Sequence, residues 1–160
     1  KGSAFTFVVP FAPAGKPAQA LMAASAEVEP ARFNAVRVLV VEDNPVNQLV
    51  VARMLTKEGC VAQVAADGRQ ALEALRNARY DLVLMDCQMP VMDGYEAARQ
   101  IRAREQDGAH IPVIAMTANA LRGDREVCLA AGMDDYLSKP VRAEELAQVL
   151  EQWLERARKA

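Results

Sequence analysis

The chain has 160 residues, 52% of them hydrophobic and 25% charged, and a net charge of -2. This is enough for one ordinary soluble domain plus an appendage, and the charge gives no electrostatic case for nucleic acid or an anionic membrane. Three scattered cysteines, one histidine and 5% aromatic residues argue against a disulfide framework, a zinc site or a base-stacking surface, and favour a reducing compartment.

Residues 1–11, KGSAFTFVVPF, alternate Phe5, Phe7 and Val9 on one side, so a short strand ending at Pro10 is expected. Residues 12–34 are rich in Ala and Pro without periodicity and read as a linker. The leading strand has no obvious partner and the chain starts with Lys, so the expectation is the tail of an upstream domain. A signal peptide fits less well, because the apolar block contains Pro and lacks a basic lead-in. No apolar stretch reaches the roughly 18–20 residues of a membrane span.

Strands and helices alternate strictly from Val36 onward. Val36 to Val41 is an apolar strand, and Pro45 to Glu58 a helix with Val46, Leu49, Val50 and Met54 as its expected apolar face, ended by Gly59. Val61 to Ala65 is a second strand, and Asp67 caps a helix bearing Ala71, Leu72 and Leu75. Leu82 to Asp86 reads as a strand buried on both faces, followed by a helix from about Gly94 to Arg104. Pro112 to Met116 is a fourth strand and Leu121 to Ala131 a weaker helix closed by Gly132. Asp135 to Leu137 is a short fifth strand. The last helix, Ala143 to about Arg156, repeats Leu146, Val149, Leu150, Trp153 and Leu154 at helical spacing, a pattern that predicts core packing. Alternation with short connections predicts a doubly wound α/β domain over residues 35–160, with a parallel sheet covered on both faces.

In such a sheet, ligands gather outside the carboxyl ends of the strands. Those ends carry Glu42 and Asp43, then Asp86, Thr117 and Lys139. Three carboxylates converging there would repel and raise at least one pKa. A hard divalent cation removes that cost, and an all-oxygen site suits Mg²⁺. With Lys139 as a point charge and Thr117 as a donor, the set meets the electrostatic requirement of phosphoryl transfer to a carboxylate. Taken singly, each residue is also readable as a cap, a turn residue or a solvated charge.

Other phosphate chemistries lack their residues. Gly15-Lys16 has no leading glycine, so there is no P-loop, and no G-x-G-x-x-G follows the first strand. Gln88 stands where an aspartyl-phosphate phosphatase of the haloacid dehalogenase type needs a second Asp. Cys87 next to Asp86 points to the opposite face of the strand, which favours a packed core thiol over a nucleophile.

The stretches VLVVEDNPVNQ, LMDCQMPVMDG, IAMTANA and DDYLSKP resemble the receiver domain of two-component response regulators from Val36 to about Arg156. The resemblance implies a flavodoxin-like (βα)5 sheet of strand order 2-1-3-4-5. It implies Asp86 as phosphoacceptor, and Glu42, Asp43, Asp86 and the backbone carbonyl of Gln88 as Mg²⁺ ligands. Thr117 and Tyr136 then match switch positions and Lys139 the lysine that pairs with the phosphoryl group. Gln88 and Asn119 fall where the family tunes acyl-phosphate lifetime. EDNPVNQ and MDCQMPVMDG are most similar to receivers of hybrid sensor histidine kinases, and GSAFTFVVPF resembles the last strand of a kinase ATP-binding domain. His110 lacks the H-E-x-x-P context of a phosphodonor. The implied partners are a histidine kinase phosphodonor domain, expected in the same polypeptide, and a histidine phosphotransfer protein. Neither nucleic acid nor membrane insertion of this fragment is expected, and the implied location is cytoplasmic. The alternative is a receiver-like binding module that works without phosphorylation.

Overall fold

The computed structural model describes residues 32–105, 110–118 and 122–159, all within the unit Ala31–Ala160. The expected strand at 1–11, the linker up to residue 31 and Asn119 lie outside the described residues. Among the described residues, five strands and five helices alternate. The strands are β1 (Arg37–Val41), β2 (Val61–Ala65), β3 (Leu82–Asp86), β4 (Val113–Thr117) and β5 (Asp135–Ser138). The helices are α1 (Pro45–Lys57), α2 (Gly68–Asn77), α3 (Gly94–Arg102), α4 (Arg122–Ala130) and α5 (Ala143–Lys159). The strands form one parallel sheet in the order β2-β1-β3-β4-β5, as the resemblance implied.

The central strands β3 and β4 are buried throughout, which is why LVLMD and VIAMT run apolar rather than alternating. Side chains still divide by parity between the two faces. Val38, Val40, Leu82, Leu84, Ile114 and Met116 pack with Val51 and Leu55 of α1 and Leu146, Leu150 and Leu154 of α5. Leu39, Val41, Val83, Met85, Val113 and Ala115 face Ala71 and Leu72 of α2, Ala97, Ala98 and Ile101 of α3, and Cys128 of α4. Phe33 already belongs to the first cluster, and its N–H donates to the Glu58 carbonyl at 3.0 Å.

Helix starts follow their caps. Asn44 accepts from Val46 N–H with Pro45 at the first helical position; Asp67 accepts from Gln70 N–H and Asp93 from Glu96 N–H. Gly59 and Gly132, at φ 91° and 94°, close α1 and α4 with the left-handed turn that glycine adopts without strain. Trp153 is half-buried as expected for core packing, and its indole donates to Asp135 Oδ2 at 3.1 Å.

Of the expected apolar face of α1 only Met54 packs against the core. Val46, Leu49 and Val50 are 66%, 52% and 43% exposed, and the buried stripe is Val51 and Leu55. This helix is apolar on more than one side, so periodicity alone could not orient it; packing against β1 and α5 chose the i, i+4 pair closer to its C-terminus. Smaller differences lie at element ends. Thr117 is the last residue of β4 rather than just beyond it, and α3 stops at Arg102.

At the amino-terminal rim of the sheet, Arg102 binds four acceptors. It donates to Gly132 O at 2.7 Å, Ile111 O at 3.0 Å and Asp134 Oδ2 at 2.6 Å, and also to Glu105. Asp134 in turn accepts from Val113 N–H and meets His110 Nε2, each at 2.7 Å. Nothing in the sequence pattern singled out this network.

Candidate functional site

Glu42 follows β1 directly, Asp86 and Thr117 end β3 and β4, and Lys139 follows β5. The ladder carries on past the strands and so fixes these residues on the backbone. Glu42 N–H donates to Ala65 O at 3.1 Å, Cys87 N–H to Met116 O at 3.2 Å, and Lys139 N–H to Thr117 O at 2.7 Å. The Lys139–Pro140 peptide is cis. Between these ends lies a cleft of about 220 Å³ lined by Glu42, Asp43, Asn47, Asp86, Thr117 and Lys139, among others. A larger cleft of about 970 Å³ lies at the opposite rim, beside Leu75, Tyr80 and His110. Size would favour it, but no cluster of acidic residues converges there among the described residues.

Lys139 Nζ sits between two carboxylates, 2.6 Å from Glu42 Oε2 and 2.7 Å from Asp86 Oδ2. Gln88 N–H donates to Asp86 Oδ1 at 3.2 Å. Burial pushes the Asp86 carboxyl above its ordinary value; the Lys139 ammonium and the Gln88 N–H pull the other way without offsetting it, and Glu42 adds to the rise. Burial works to lower the Lys139 pKa, yet its bonds to Asp86 and Glu42 outweigh that and raise it. Repulsion between carboxylates was the expected cause of a raised pKa; here it comes after desolvation.

One ammonium cannot neutralise three carboxylates. Glu42, Asp43 and Asp86 each offer an oxygen, all within 4.8 Å of one another, with Glu42 and Asp86 buried and Asp43 exposed to the cleft mouth. This donor set, hard, anionic and short of positive charge, fits a divalent cation of the Mg²⁺ class. Gln88, half of whose expected role is a backbone carbonyl, lines the same cleft. Tyr136 does not line it; the ring is half-buried on the α2/α3 side of the sheet, with Tyr136 opposite Ala115 in the ladder.

Cys87 is buried, as expected for a core thiol, with its Sγ 3.7 Å from Cys128 Sγ. Burial pushes its pKa up to about 12, with Cys128 adding to the effect, so a thiolate nucleophile is disfavoured.

Three residues of the site were not singled out from the sequence. Asn44 N–H and Asn47 Nδ2 donate to Glu42 Oε1 at 3.3 Å and 3.0 Å, and Gln48 Nε2 donates to the Glu42 carbonyl at 2.7 Å. Their signal was polar residues in the first turn of a helix that begins right after a strand-end carboxylate. The β3–α3 loop carries two further constraints. Val91, 75% exposed, has φ 69°, and a Cβ on Gly94 would collide with the Asp86 carbonyl.

Comparison with known proteins agrees with this geometry. "Hybrid signal transduction histidine kinase I" of Dictyostelium discoideum is 44% identical over 120 residues, 71% of this chain and 7% of that protein. This chain therefore spans only a small part of that relative's length. The receiver domain of a sensor histidine kinase of Pseudomonas aeruginosa PAO1, which holds a magnesium ion in its active-site cleft, superposes with a TM-score of 0.69 at 51% identity. That match covers 76% of this chain and 98% of the other. The receiver domain of the response regulator Ssk1 of Saccharomyces cerevisiae, solved with the histidine phosphotransfer protein Ypd1, gives a TM-score of 0.70 at 32% identity, covering 76% and 90% of the two chains. Residues 38–151 match the family described as Response regulator receiver domain, and with that match over most of its length the chain belongs to that family.

Proposed function

We propose that this chain is a phosphoacceptor receiver of a phosphorelay, taking a phosphoryl group from phosphohistidine onto Asp86 and switching conformation in response. The observation that carries the reading is the placement of Asp86. It is a buried carboxylate at a strand end, held by Lys139 at 2.7 Å in a cleft with Glu42, Asp43 and Thr117. An Asp86 oxygen attacks phosphorus in line as the bond from phosphorus to the histidine nitrogen breaks, and the imidazole leaves as a neutral base after protonation.

Glu42, Asp43, Asp86 and the Gln88 carbonyl would hold Mg²⁺, which when bound supplies positive charge to the phosphoryl oxygens. Lys139 exchanges one of its carboxylate partners for a phosphoryl oxygen. The Thr117 hydroxyl turns toward the same group, and because Lys139 N–H is bonded to Thr117 O, β4 and β5 respond together. Tyr136 then repacks on the face of β5, and contacts present only in the phosphorylated state shift the population. Gln88 and Asn119 set the lifetime of the acyl phosphate.

Leu49, Val46 and Val50 form an exposed apolar strip on α1, in the helix that starts at the cleft. A histidine-bearing helical partner docks there, either the phosphodonor domain of a kinase or a histidine phosphotransfer protein. The first would lie in the same polypeptide if residues 1–11 end a kinase ATP-binding domain and 12–34 link it to a receiver over 35–160. The location proposed for the domain, from its resemblance to receivers, is the cytoplasm.

Incubation of the protein with acetyl phosphate and Mg²⁺ tests the reading. A mass gain of one phosphoryl group is expected, absent in Asp86→Asn. A folded protein that gains no mass would overturn it, and labelling that persists in Asp86→Asn would move the acceptor elsewhere.

A further inference from the structure

We propose that Asn47 is a positioning residue of the acidic site, fixing the Glu42 carboxylate for a divalent cation; the inference rests on the cation reading above. Glu42 is 1% exposed, and its two oxygens have divided roles. Oε2 meets Lys139, while Oε1 takes the side-chain amide of Asn47 at 3.0 Å and Asn44 N–H at 3.3 Å. An ionised carboxylate only accepts, so the Asn47 amide must present its nitrogen.

Helix capping does not explain this bond. Asn44 is the cap of α1, which makes Asn47 the third helical residue. In a capping box that residue's side chain accepts from the backbone N–H of the cap. Here the Asn44 N–H goes to Glu42 instead, and Asn47 donates to the same oxygen. Asn47 therefore serves the carboxylate rather than the helix end. The next residue, Gln48, holds the Glu42 main-chain carbonyl at 2.7 Å. Adjacent side chains thus fix both the backbone and the carboxylate of a residue that has one more free torsion than an aspartate. Groups that orient a metal ligand from outside the coordination sphere typically account for a 10- to 100-fold change in affinity.

The test is thermal unfolding of the whole chain at rising MgCl₂, where the gain over the metal-free midpoint reads cation affinity independently of phosphorylation. Asn47→Ala and Asn47→Leu, the second keeping side-chain bulk, sit at an exposed position and are expected to fold. Both should weaken the apparent Mg²⁺ affinity about tenfold or more. A merely structural Asn47 would lower the metal-free midpoint and leave the metal-dependent gain as in the wild type, which overturns the proposal. If the wild type itself gains nothing from Mg²⁺, the cation reading falls and takes this inference with it. A loss in Asn47→Ala that Asn47→Leu restores would also overturn it, since volume rather than the hydrogen bond would then be responsible.

Discussion

Gly94 lies so close to the carbonyl of Asp86 that no side chain fits between them. Its N–H donates to Cys87 O at 3.2 Å, so the start of α3 is bound to the backbone on which the proposed phosphoacceptor sits. Gly94→Ala should cost about 1–3 kcal/mol through forced displacement and slow labelling by acetyl phosphate. Urea unfolding measures the first effect. Stability equal to the wild type would mean the close approach is absent in solution.

Replacing Asp86 by Asn should stabilise the fold at neutral pH. Burial raises the folded pKa of Asp86, so its contribution to stability is fully present below the unfolded value of about 3.8 and is lost as pH rises through the folded value. The advantage of Asp86→Asn should therefore shrink toward zero on acidification to pH 3. Denaturant midpoints at pH 3 and pH 7 decide this, and a variant less stable than wild type at pH 7 would contradict it.

The strain at Val91 is open to measurement in the same way. A β-branched residue at φ 69° costs about 1–2 kcal/mol, and its exposed side chain recovers little of that by packing. Val91→Gly should stabilise the protein by roughly 0.5–1 kcal/mol once the greater freedom of glycine in the unfolded chain is counted. An unchanged or lower midpoint would show that Val91 makes compensating contacts.

The exposed strip of α1 predicts a separation of donors. Leu49→Asp changes a residue that is half exposed, so the fold should shift by no more than about 0.5 kcal/mol. Transfer from a histidine phosphotransfer protein should fall about tenfold or more, while labelling by acetyl phosphate stays as in the wild type. Equal loss with both donors would place Leu49 in the cleft chemistry rather than in docking.

Alkaline pH should weaken the fold through its thiols. Burial raises Cys60 to about 11, with Glu58 and Asp81 adding to it, and Cys87 to about 12. Both contributions are intact below the unfolded thiol value near 9 and disappear as pH climbs through 11 to 12. Labelling of these cysteines by a thiol reagent at pH 8 should consequently track unfolding. Rapid labelling of the native protein would show that the thiols are accessible.

Much of this was legible in the chain because the strands end in chemistry. Apolar runs set β3 and β4, Asp67 marked the start of α2, and Glu42, Asp86, Thr117 and Lys139 fell together once the strands were taken as parallel. The α1 face was not legible, since Val46, Leu49 and Val50 are as apolar as Val51 and Leu55 and only packing distinguishes them. Nor were Asn47 and Gln48, whose importance depends on a side-chain orientation that local sequence does not encode. The Arg102 network joins α3 to Asp134, 32 residues on, and to the backbone carbonyls of Ile111 and Gly132, which carry no residue-type signal.

That network also decides how the domain can rearrange. The partly buried guanidinium of Arg102 fixes α3 to the loops before β4 and β5, and sliding α3 along the sheet would break these bonds, at about 0.5–1.5 kcal/mol each. Any tilt of α3 about Arg102 would be smallest at that pin and greatest at the opposite rim, where Asp86 lies.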